Sequence, residues 1–130
     1  MSKDIQLKEL DLNITNELKK IDNKVQLTEA YHTVMAAANR FSFLSPNIPK
    51  QLLEVVQHIH GRFDSCCYHI MKASNTFNLD IKYNELAAAR SDLFFQYNSI
   101  EYLFKTKALT VGAANTVIEE ISKGYEQLTK

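Results

Sequence analysis

Between residues 48 and 77 the apolar side chains recur at steps of three and four without interruption: Ile48, Leu52, Val55, Ile59, Phe63, Cys66, Ile70, Ala73 and Phe77. An α-helix, with 3.6 residues per turn, brings such a series onto one face, whereas a strand would scatter it over both. At a rise of 1.5 Å per residue, a helix over 48–77 would be about 45 Å long, which is long for a globular helix and suits a bundle. Pro46 and Pro49 stand at its beginning, where a missing N–H costs no intrahelical bond.

Three further segments repeat the pattern. Leu27, Tyr31, Val34, Ala38 and Phe41 predict a helix near 25–43. Leu86, Leu93, Tyr97, Ile100 and Phe104 predict one near 81–106, and Val111, Ala114, Ile118, Ile121, Tyr125 and Leu128 one near 110–129, with Thr110 as its N-cap. The connection at Lys107–Leu109 is short, and Ser45-Pro46-Asn47 is a turn signal, so consecutive helices should run antiparallel. With only three glycines and two prolines in 130 residues, little punctuation is left for many short strands. The expected architecture is all-α: an up-down four-helix bundle over residues 24–130, preceded by an N-terminal amphipathic arm over 1–23. In the arm, Leu7, Leu10, Ile14, Leu18 and Ile21 keep helical spacing, although Asn13, Asn16, Asp22 and Asn23 weaken a helix.

Fifteen basic and fifteen acidic side chains give zero formal charge, without the basic excess usual in a dedicated nucleic-acid binder. The start, Met-Ser-Lys-Asp-Ile, has no apolar signal region, and no run of about 18 apolar residues is present to span a bilayer. Cys66 and Cys67 are adjacent and poorly placed to pair with each other. A cytoplasmic protein with no membrane partner is expected.

Reactive side chains gather on the 48–77 helix. Glu54 and His58 share a face, as do His60 and Asp64. A metal needs three or four converging ligands, and one helix offers two, so no metal, cofactor or catalytic residue is expected. Cys66 falls on the apolar stripe and reads as a small hydrophobe. Arg62 and His69 share a face and match the loosest Arg-x-x-x-x-His pattern of the HEPN superfamily of small helical proteins. That resemblance implies an alternative function as a ribonuclease, with arginine stabilising phosphate charge and histidine moving a proton. Arg40, Lys50 and Arg62 are candidate nucleic-acid contacts near the Pro46–Pro49 loop, and are otherwise solvated helix-end charges. On the 81–106 helix, Ala88, Phe95 and Tyr102 form a second apolar stripe, seven residues apart and away from the core stripe. A helix apolar on two sides is central or lies in an interface. Either the arm or another copy of the chain can cover these three residues, and self-association is the expectation.

Residues 31–130 resemble the small bacterial four-helix-bundle proteins that include the accessory variability determinant (Avd) of diversity-generating retroelements. The resemblance rests on the Phe41-to-Lys50 connection with its late Pro49-Lys50, and on Ile59-x-x-x-Phe63-Asp64 leading to Ala73-Ser74-Asn75. It rests further on Leu86-Ala87-Ala88-Ala89-Arg90 and on the Lys107-Ala108-Leu109-Thr110 turn. It implies a homo-oligomer, a pentameric barrel of bundles, that binds a reverse transcriptase and RNA without catalysis of its own. The chain departs from the strongly basic retroelement members in its zero net charge, and in Gln96, Asn98 and Glu101 where arginines are expected. A helical scaffold for protein partners only is the further alternative.

Overall fold

A computed structural model describes residues 27–129. They form four helices: α1 over 27–44, α2 Leu53–Ser74, α3 Leu79–Lys105 and α4 Val111–Thr129. The arm, 1–23, lies outside the described residues.

The helix ends follow from local chemistry. Two short 3₁₀ turns, Ser45–Asn47 and Lys50–Leu52, occupy the start of the long predicted helix. Ile48 precedes a proline and is extended (φ −80°, ψ 135°), as such residues tend to be. The α-helix therefore starts at Leu53 rather than 48. Within it Val56, three residues before Ile59 and seven before Phe63, is buried, while Val55 is half-buried at the core's edge. At the other end the Asn75 amide bonds back to the Met71 and Lys72 carbonyls. The helix stops there, and Phe77, predicted on its stripe, is instead 89% exposed. Asn78 then caps α3: its side-chain oxygen accepts from the amides of Asp80 and Ile81 at 3.0 and 3.2 Å. That cap starts α3 two residues ahead of the sequence expectation. Lys107 (φ 65°) takes the left-handed position after α3, and the Ala108 amide closes onto the Leu103 carbonyl at 2.9 Å. Thr110 caps α4 as expected, its hydroxyl accepting from the Ala113 amide at 3.2 Å.

Each helix meets two others: α1 touches α2 and α4, and α3 touches α2 and α4. Phe41 of α1 meets Phe63 of α2 at 6.3 Å between ring centroids. Arg40 pairs with Glu120 of α4 at 3.8 Å. Buried Gly124 of α4 is so close to Val34, Thr33 and Leu93 that an added Cβ would sit 3.4–3.6 Å from them. In the α2–α3 contacts, Ile59 faces Gln96, Arg62 faces Asp92 and His69 faces Glu85. One number rises as the other falls, so the helices are antiparallel; Arg90 and Leu128 at the α3–α4 seam continue the pattern. This is the up-down four-helix bundle.

The core is built from Phe41, Ile59, Phe63, Ile70, Leu93, Ile100, Leu103 and Ile121, all at most 2% exposed. On α3 the stripe differs from the one expected. Gln96 and Leu103 are buried, while the neighbouring aromatics Tyr97 and Phe104 are exposed. On α4, Val117 is buried and Val111 and Tyr125 are exposed. Among the described residues, no helix is long and apolar enough to cross a membrane.

Candidate interaction surface

Two very different surfaces meet on α3. Its inner edge, against α2, is polar. Arg62 donates to Asp92 Oδ1 at 2.9 Å, and the Asp92 side chain is only 5% exposed. The Arg62 guanidinium also lies over the Phe95 ring, 4.5 Å from its centroid. One turn along α3, fully buried Gln96 donates its amide to the Ile59 carbonyl. Cys66 Sγ–H points to the Ala89 carbonyl at 3.5 Å. Further down, His69 Nδ1 is hydrogen-bonded to Glu85, which also meets Lys72 at 3.8 Å. Asp92 Oδ2 and Gln96 Oε1 have no protein donor among the described residues. Buried polar atoms left in this way are costly. The seam therefore fixes how α2 and α3 register while contributing less stability than an apolar one would.

Burial holds both α2 thiols, Cys66 and Cys67, in their protonated form. Burial, then the charges of Cys67 and Asp92, push the Cys66 pKa far above the ordinary thiol value. Burial, reinforced by Asp64, pushes Cys67 up to about 11. Both stay protonated at neutral pH, which does not suit a nucleophile.

The outer half of α3 is aromatic. Phe94, 64% exposed, points away from the core. At about 100° per residue, Phe95 and Tyr102 lie on its α2 side and Tyr97 and Phe104 on its α4 side. All four are exposed, as is Tyr83 one face further down. On the α4 side, Phe94, Tyr97, Tyr125 and Glu126 line an open groove of about 460 Å³ floored by Leu93 and Ile121.

The structure places the expected residues as follows. Ala88 is half-buried, and Phe95 and Tyr102 are exposed in line with it on the α2 side of α3's outer face. Sequence reasoning missed the other aromatic flank, because it assigned Tyr97 and Phe104 to the core. Arg40 turns toward α4 and Arg62 toward α3, so these two enter different seams, each charge-paired. Lys50 is exposed on the 3₁₀ turn before α2. Arg62 and His69, the HEPN-like pair, are each tied to a different carboxylate of α3, Asp92 and Glu85. That reading requires both groups free to act on one phosphate. His58 is exposed and His60 packs its ring against Phe41. Among the described residues, no three His, Cys, Asp or Glu side chains gather around one point where a metal could sit.

No protein-family model, curated protein or solved structure matches the chain.

Proposed function

We propose that the protein is a non-enzymatic, self-associating helical accessory protein of the Avd type, which binds a reverse transcriptase and its RNA. One observation carries the binding part of this reading: α3 places a row of aromatic side chains on the face that the bundle leaves uncovered. Here six aromatic side chains, from Tyr83 to Phe104, stay exposed on it, more than isolated surface apolar residues require. The four-helix architecture agrees with the Avd resemblance at the level of fold, which by itself carries no function. Repeating one heterologous contact around a closed ring covers such a face on every copy, and a pentamer is the ring the resemblance implies.

Arg62 and Arg40 are held in ion pairs, so RNA contact falls to surfaces formed on assembly rather than to those side chains alone. The test is co-expression with a reverse transcriptase encoded beside this protein. Co-elution as a stoichiometric complex supports the reading. Separate elution, with both proteins folded, contradicts it.

A further inference from the structure

The outer half of α3 carries two unlike surfaces, and they are matched to each other. The flank toward α2 is a row of Phe95 and Tyr102, both exposed, with the Arg62 guanidinium lying over the Phe95 ring. Arg62 donates one N–H to Asp92, and its side chain is still 45% exposed. A guanidinium has five N–H donors, so others can reach an acceptor outside the bundle. The flank toward α4 is hollow. Phe94, Tyr97 and Tyr125 wall the groove there over Leu93 and Ile121. Among the described residues, exposed Glu126 is the one charged side chain lining it. At 100° per residue, Phe95 and Tyr97 diverge by about 160° around the α3 axis, so a chain cannot place its own row in its own groove.

We propose that the α3–α4 groove receives the Phe95 and Tyr102 row of a second copy of this chain, with Arg62 of one copy meeting Glu126 of the next. This rests on the proposed self-association and specifies its joint. Three features select a second copy as the occupant. The first is complementarity. The row sets an arginine beside aromatic rings, the composition of interface anchors, and the groove is aromatic with a carboxylate in its lining, so apolar surface and charge both match. The second is the zero formal charge of the chain, which lets copies meet without the net repulsion that keeps charged proteins apart. The third is direction. Row and groove point nearly opposite ways, so a copy engaged through its groove still presents its row. The same joint then repeats head to tail until a ring closes.

A head-to-tail joint has a signature in mixing. Phe95→Asp/Tyr102→Asp removes the row, and Tyr97→Asp/Tyr125→Asp removes the groove. With circular dichroism matching the parent, each variant alone should show the single-chain mass of 14.9 kDa in light scattering. Mixed in equal amounts at about 0.1 mM, a concentration that offsets the lost ring closure, they should give twice that mass. The first variant keeps an intact groove and the second an intact row. A mixture that stays at the single-chain mass overturns the joint. A groove variant that assembles as the parent does also overturns it, while leaving self-association through another part of α3 in place. A monomeric parent removes both. Glu126→Lys, at an exposed position, tests the charge match without touching the core. On dilution its assembly should dissociate at about tenfold higher protein concentration than the parent's, with Glu126→Gln between the two. Equal midpoints for all three contradict the contact between Arg62 and Glu126.

Discussion

The inner and outer halves of α3 invert the usual rule for where residue types go. Facing α2, the helix buries Asp92 and Gln96; facing outward, it shows Phe94, Phe95, Tyr97, Tyr102 and Phe104. The core stripes of α1 and α4 behave conventionally: Val34 and Phe41, Ala114 and Ile121 are all inside. Polar groups buried with specific partners select one alignment of two helices, at a cost in stability. Aromatic groups left outside gain little from folding, and their burial is gained on association instead. The inner half of α3 thus sets the registry of the fold and the outer half is fit for recognition.

The largest expected effect marks the ordinary core against which the polar seam is judged. Phe63→Ala removes a ring that is 1% exposed and should cost roughly 3–5 kcal/mol. A urea titration showing less than about 1 kcal/mol would mean that the α2 stripe does not carry the core.

Next comes the seam itself. Arg62→Ala leaves the Asp92 carboxylate buried without its cation and should cost about 3 kcal/mol, the lower end for a broken buried pair because Arg62 reaches solvent. In Arg62→Ala/Asp92→Leu the buried charge is gone as well, and most of that loss should be recovered. A double variant no more stable than the single would show that the pair contributes real stability.

The thiol beside this seam gives a smaller, pH-dependent effect. The folded Cys66 thiol keeps its proton above 9.0, the ordinary value, while the unfolded chain loses it. Stability from this group is complete below pH 9 and falls as the pH rises further. At pH 10 the loss is about 1.4 kcal/mol. The urea stability gap between the parent and Cys66→Ala should therefore narrow by that amount between pH 8 and pH 10. A constant gap would place Cys66 in a more polar setting than the α2–α3 seam.

Much of the fold could be read from spacing. The four helices, their antiparallel order, the Thr110 cap and the α2 stripe from Ile59 to Ala73 all follow from period and turn chemistry. On α3 spacing did not separate two candidate stripes: Leu93, Tyr97, Ile100 and Phe104 advance by four, three and four, as regularly as the buried series Ala89, Leu93, Gln96, Ile100 and Leu103. Choosing aromatics over a series that contains a glutamine put Tyr97 and Phe104 inside. Asp92 could be placed inside only by knowing that Arg62 lies across from it, which is a tertiary fact. The outward stripe of Ala88, Phe95 and Tyr102 was legible because its seven-residue repeat is regular. The groove against α4 was not, since it depends on Tyr125 and Glu126 of another helix.

The comparison is sharpest in solution mass. Light scattering on the purified 130-residue chain at micromolar concentration should give a multiple of the single-chain 14.9 kDa, five-fold if the ring closes as a pentamer. Replacing outward aromatics in Phe94→Asp/Tyr102→Asp should return it to a single chain, with the helical circular dichroism and urea midpoint little changed because neither side chain is in the core. A parent protein that is monomeric at that concentration would contradict the assignment of α3's outer half to self-association.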